Sequence, residues 1–255
     1  MNAVHLEIQG AVATIRLDNP AKLNALDVPM LQRIDQHCQA LELRDGIRVV
    51  LVTGTGTKAF CTGADIKAWA SLPPAQFARS WVRDGHRIFD RLARLSKPTI
   101  AVLNGHTFGG GLELAAACDI RVMRTKARIA LPEAGVGIVP GWSGTQRLAR
   151  LLPEPLLKEM ALFGRQIGAD RVQSLGFVAE VADEPMGVAL EIAKRTAELS
   201  PRATEITKNM IHVGVGEDRP ALIETLGSAA MGASDDRTEG VAAFSEKRTP
   251  VFSGR

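Results

Sequence analysis

Apolar and polar positions change period along the chain, and the changes mark its elements. "VHLEIQ" and "AVATIRLD" alternate on either side of Gly10, the two-residue period of a half-buried hairpin. From Asp27 the period lengthens. Leu31, Ile34, Cys38 and Leu41 recur at three- and four-residue steps, the stripe of an amphipathic helix. "RVVLVTGTG" is then short and continuously apolar, the mark of a strand covered on both faces. A second helical stripe carries Phe77, Trp81, Ile88, Leu92 and Leu95, and "TIAVLNG" is another buried strand. "DIRVMR" and "ARIALPEAG" add short strands, and "VPGWSGTQRLARLL" opens a helix. After "FVAEVAD" the strand signal stops, and "SPRATEITKNMIHVG", "PALIETLGSAAM" and "SDDRTEGVAAFSEKR" read as helices. Strands alternating with helices predict an α/β fold with parallel pairing. The expected division is a core over residues 1–195 and a helical region over 196–255 that serves oligomerisation.

Composition narrows the partners. A chain of 255 residues, 45% hydrophobic and 23% charged, has the balance of a globular domain with an appendage. The formal charge of +3 comes with no Lys/Arg run interleaved with aromatics, so nucleic acid is not expected, whereas an anionic small molecule is compatible. The N-terminus lacks the basic start and apolar block of a signal peptide, and no apolar run approaches the roughly 18 residues of a membrane span. A cytoplasmic location and no membrane partner are expected. Cys38, Cys61 and Cys118 are widely spaced with no C-x-x-C, and no H-E-x-x-H occurs, so reduced thiols and no bound metal are expected.

Candidate chemistry begins at "GHTFGGGLELAAACDI". Glu113 sits in a run of small and apolar residues, where a carboxylate is excluded unless something pairs with it or uses it. The glycines Gly109 to Gly111 precede it between a buried strand and a helix N-terminus, where free N–H groups favour a negative group. A second loop, "GTGTKAFCTGADIKAW", is also dense in small residues. Gly54, Gly56 and Ala59 match G-x-G-x-x-A, but Phe60, Cys61 and Thr62 continue an irregular loop, and Arg79 and Ser80 stand where an acidic residue is needed. The dinucleotide reading fails on that context. In "ALPEAGVGIVPGWSGTQRL", Glu133 follows Pro132 in a turn of small and apolar residues, and taken alone it reads as a surface turn carboxylate. "GWSGT" misses a nucleophile elbow because Thr145 replaces the final glycine.

Taken together, "NPAKLNALD", "AFCTGADIKAW", "NGHTFGGGLELAAACDIRV", "LPEAGVGIVPGWSGTQRL" and "EGVAAFSEKRTPVF" resemble the enoyl-CoA hydratase/isomerase (crotonase) family, in order over nearly the whole chain. The resemblance implies a crotonase-like spiral of repeated ββα units with a helical C-terminal trimerisation region, giving a homotrimer or a hexamer. It places an oxyanion hole on the amides of Ala64 and Gly110 and the acid/base pair on Glu113 and Glu133. It implies an acyl-CoA substrate, contacted by Lys22, Ala25, Ala64, Asp65, Ile66, Gly110, Gly141, Phe244 and Lys247. No cofactor is implied beyond the coenzyme A of the substrate. The implied reaction is hydration of 2-enoyl-CoA to 3-hydroxyacyl-CoA. Two carboxylates allow water to be activated at C3 and a proton to be exchanged at C2. Isomerisation or another enolate reaction is the nearest alternative, and a non-catalytic or RNA-binding member is the rival of a different class. Trp142 departs from the small residues common at its position, as a pocket wall or as core. Trp69, Phe77 and Trp81 suggest an apolar acyl pocket, and Cys61 reads as an inert small hydrophobe.

Overall fold

From the third strand to the eighth, successive strands are dealt alternately to two sheets. In the computed structural model, residues 3–217, 225, 227–230 and 232–255 are described. Strands β1 (Ala3–Gln9) and β2 (Val12–Asp18) form the expected antiparallel hairpin around Gly10. Then β3 (Val49–Gly54) joins a six-stranded sheet and β4 (Ala59–Cys61) a four-stranded one. The deal repeats with β5 (Thr99–Leu103) and β6 (His106–Phe108), and again with β7 (Ile120–Arg124) and β8 (Arg128–Ala130). Strand β9 (Ile167–Gly168) closes the small sheet antiparallel to β8, and β10 (Glu180–Ala182) runs parallel beside β7. Strands β3, β5 and β7 are parallel in the large sheet, as β4, β6 and β8 are in the small one. Each turn of the spiral therefore supplies one strand to each sheet before its helix.

The helices follow from local chemistry. Helix α1 (Val28–Glu42) begins where the Asp27 carboxylate accepts the Met30 N–H at 2.9 Å, and it buries the expected stripe of Leu31, Ile34, Cys38 and Leu41. Short helices α2 (Ile66–Trp69) and α3 (Pro74–Gln76) lead into a π-helical turn, Phe77–Val82, and then α4 (Arg83–Ala93). Next come α5 (Gly110–Ala116), α6 (Gly144–Leu151), α7 (Glu154–Phe163), α8 (Ala169–Ser174) and α9 (Pro185–Ala197). Helix α9 covers the second face of the large sheet. Val49, Leu51, Ile100, Val102 and Val122 pack with its Ala189 and Ala193, while Val50, Val52, Ala101 and Leu103 face the main core. Burial on both faces is why "RVVLV" and "TIAVL" are unbroken apolar runs.

By contacts the chain falls into two compact units, one through Glu205 and one from Ile206. Helix α10 (Pro201–Gly214) spans that boundary. In the second unit, helix Asp235–Glu246 is capped by Ser234, which accepts the Arg237 N–H at 3.1 Å. The helix expected over "PALIETLGSAAM" lies for the most part outside the described residues.

Two sequence readings are corrected. Phe60 and Cys61, read with Thr62 as irregular loop, belong to β4, and between the buried strand "TIAVL" and the glycines before α5 the chain forms β6. Three-residue strands are too short to show an alternation, and their pairing partners lie far away in sequence.

Candidate active site

The loop after β4 is held by a strand-like bridge to a segment some forty residues earlier. Leu26 donates its N–H to the Gly63 carbonyl at 2.8 Å, and its own carbonyl accepts the Asp65 N–H at 2.8 Å. Because Leu26 engages both neighbours of Ala64, the Ala64 N–H points to the opposite side. That side is the start of α5. Gly110 heads the helix, where a first-turn N–H has no partner within the helix. Gly109 before it has φ 51° and ψ −128°, a conformation essentially confined to glycine. A Cβ on Gly63 would lie 3.1 Å from the Gly110 nitrogen, so the bare α-carbon leaves that amide uncovered. Two amides from neighbouring turns of the spiral thus converge on one space.

The two glutamates line the same space. Glu113 is 2% exposed on α5, and its Oε1 accepts N–H groups from Trp142 at 2.8 Å and Gly144 at 2.7 Å. Burial raises its pKa, and those backbone donors oppose the rise. Glu133 is 8% exposed at the head of a short 3₁₀ turn, Glu133–Val136, and its Oε2 has no hydrogen-bond partner. Burial, with the charge of Glu113 adding to it, pushes the Glu133 carboxyl up to about 7, although its own backbone N–H works the other way. Each carboxylate is pressed against a glycine. A Cβ on Gly109 would lie 2.8 Å from Glu133 Oε1, and one on Gly144 would lie 2.7 Å from Glu113 Oε1.

These groups open into one cavity of about 160 Å³. Of the sequence-predicted residues, Ala64, Ile66, Gly110, Glu113, Glu133 and Gly141 line it, together with Trp69, Phe77, Trp81 and Trp142. Lys22, Ala25 and Asp65 do not line it. Lys22 Nζ donates to Asp65 Oδ2 at 2.5 Å, which holds the Asp65 carboxyl below its ordinary range, and the Ala25 carbonyl accepts from Asn19 Nδ2 at 2.9 Å. Phe244 and Lys247 belong to the second unit. The Phe244 side chain is exposed, and Lys247 has the left-handed backbone that ends its helix. Trp142 is both wall and core. Its indole packs on Trp81 and Phe89 at centroid distances of 5.2 Å and donates Nε1–H to the Trp81 carbonyl at 3.2 Å. Cys61 is buried and its thiol is pushed up to about 12, so it packs as an inert side chain.

Converging amides can hold a developing oxyanion, and two carboxylates beside them can move protons at adjacent carbons. Residues 7–255 match the sequence model of the enoyl-CoA hydratase/isomerase family. The chain belongs to that family. It is 36% identical over 253 residues to the short-chain-enoyl-CoA hydratase of Clostridium acetobutylicum, covering 97% of this chain and 96% of that one. It is 35% identical to the carnitinyl-CoA dehydratase of Proteus mirabilis, covering 99% of each. Its fold matches the crystal structure of an enoyl-CoA hydratase from Bacillus anthracis with a TM-score of 0.81 at 33% identity, covering 99% of each chain. The α/β spiral is therefore a crotonase fold.

Sequence reading missed several supports of this family site. The amides of Trp142 and Gly144 hold Glu113, and the Leu26 bridge aims Ala64. Only the cluster of small residues in "PGWSGT" signalled the first, and nothing local signalled the second.

Proposed function

We propose that the protein adds water across the C2–C3 double bond of 2-enoyl-CoA thioesters, giving 3-hydroxyacyl-CoA. The observation that supports it is the meeting of two buried carboxylates and two free-edged amides in one small cavity, with one carboxyl poised near neutrality. The thioester oxygen sits between the Ala64 and Gly110 amides. Water attacks C3 and gives its proton to Glu113. The π pair moves to make an enolate whose negative oxygen the amides stabilise, and removing one such donor costs about 3 kcal/mol. As the enolate collapses, C2 takes a proton from Glu133. The pair again holds one proton, the water's on Glu113 in place of the one that Glu133 gave to C2, and exchange with solvent resets it.

Isomerisation needs only the C2 and C4 proton transfers, and the second buried carboxylate, already fixed by two backbone N–H groups, supports hydration instead. The reaction uses no cofactor beyond the substrate's coenzyme A. Lys22, Phe244 and Lys247 are proposed coenzyme A contacts, and the helical C-terminal region is proposed to assemble a homotrimer or a pair of trimers. The test is a set of enoyl-CoA esters followed by loss of enone absorbance. Glu113→Gln and Glu133→Gln should each lower turnover by roughly a hundred- to ten-thousand-fold. Near wild-type hydration in either folded variant would remove that glutamate from the mechanism.

A further inference from the structure

We infer that the Trp142 side chain sets the acyl specificity of the site, closing the cavity so that it takes short, uncharged enoyl groups; this rests on the hydratase reading above. The indole is wedged beside the oxyanion amide. A Cβ on Gly110 would lie 2.7 Å from Trp142 Cζ3, and one on Gly85 would lie 2.1 Å from Trp142 Nε1. Glycine on both sides lets so large a ring stand there, and its contacts with Trp81 and Phe89 leave it no room to swing away. Trp142 and Trp81 are 3% and 5% exposed, whereas Ile66, Val136 and Val139 are 48%, 53% and 77% exposed. The closed end is thus aromatic and fixed, and the mouth is aliphatic.

Size and polarity both follow. An apolar void of about 150 Å³ takes a six-carbon molecule such as benzene. The cavity here measures about 160 Å³ and must also hold the reacting carbons, so a ten-carbon chain exceeds it. Among the described residues that line it, only Glu113 and Glu133 carry a charge, and none is Lys, Arg or His. A carboxylate at the far end of the acyl group would be desolvated without a partner.

Four thioesters test this: the straight 2-enoyl-CoAs of four, six and ten carbons, and the six-carbon 2-enoyl-CoA ending in a carboxylate. Wild-type kcat/KM should fall at least tenfold from the six- to the ten-carbon chain, and at least tenfold from the six-carbon chain to its carboxylated counterpart. Trp142→Ala should raise the ten-to-four-carbon ratio at least tenfold, with Trp142→Phe intermediate and available should the alanine variant not fold. Both variants keep the backbone amide that holds Glu113. A wild-type enzyme that hydrates ten carbons as well as four, or a folded variant with an unchanged ratio, overturns the inference. If no thioester is hydrated, the hydratase reading falls instead. The gate is then read from calorimetric Kd values of butanoyl- and decanoyl-CoA, for which wild type should favour the short chain and Trp142→Ala should not.

Discussion

Glu113 and Gly144 are locked together: Glu113 Oε1 accepts the Gly144 N–H at 2.7 Å, and a methyl group on Gly144 would stand 2.7 Å from that same oxygen. The donor reaches the carboxylate only because it carries no side chain. Gly144→Ala should therefore push Glu113 out of register, and a misplacement of about 1 Å costs on the order of a hundredfold in rate. Steady-state kcat on a four-carbon enoyl thioester checks this, with circular dichroism showing that the fold survives. Unchanged kcat would mean that Glu113 can serve from a displaced position.

The pH profile should carry the signature of a shared proton. The proposed hydration needs the state in which the two glutamates hold one proton between them, and Glu133, pushed up to about 7, is where that proton is lost. Above pH 7, kcat/KM should fall about tenfold per pH unit as the pair becomes doubly ionised. A flat profile from pH 6 to pH 9 would contradict the assignment of Glu133 as the C2 proton donor.

The same carboxyl should weaken the folded state at alkaline pH. Its pKa rises from an ordinary 4.5 to about 7 in the fold, so the native protein holds the proton more tightly than the unfolded chain. That favourable contribution is fully present below pH 4.5 and is lost as pH rises through 7, a swing of about 3 kcal/mol. Glu133→Gln, which cannot ionise, should be more stable than wild type at pH 8 and lose that advantage at pH 4. Urea denaturation at the two pH values measures it, and an equal difference at both would be the contrary result.

Gly110 and Trp142 should be energetically coupled. Because a Cβ at position 110 meets the indole at 2.7 Å, Gly110→Ala should destabilise the fold by about 1–3 kcal/mol through overpacking. Trp142→Leu removes the ring edge, so the double variant should be more stable than the two single effects added together. Strict additivity in denaturant unfolding would show that the indole yields freely.

How legible all this was in the sequence depended on range. The long strands and helices announced themselves, because β3, β5 and α1 repeat one pattern over enough residues to be seen. Glu113 stood out because its neighbours are all small or apolar, and Glu133 only once the family resemblance was drawn. The strands β4 and β6 left no pattern, since three residues cannot show a period and the pairs Ala59–His106 and Cys61–Thr107 join residues far apart in the sequence. The bridge from Leu26 to Ala64 and the donors from Trp142 and Gly144 are likewise backbone contacts, which side-chain identity does not encode.

The register of the small sheet fixes a gauge. Cys61 of β4 pairs with Thr107 of β6, and the two amide donors, Ala64 and Gly110, each stand three residues beyond those partners. Parallel neighbours in any sheet lie about 4.8 Å apart, a spacing fixed by the peptide hydrogen bond itself. The two amides are thus carried just past neighbouring strands of one sheet, and the Leu26 bridge on one side and the start of α5 on the other set where each points. In the proposed reaction the acyl wall, which takes Val139 and Trp142 from later segments, can therefore vary while the two amides keep the same strand frame, so substrate choice can drift without rebuilding the frame that carries them.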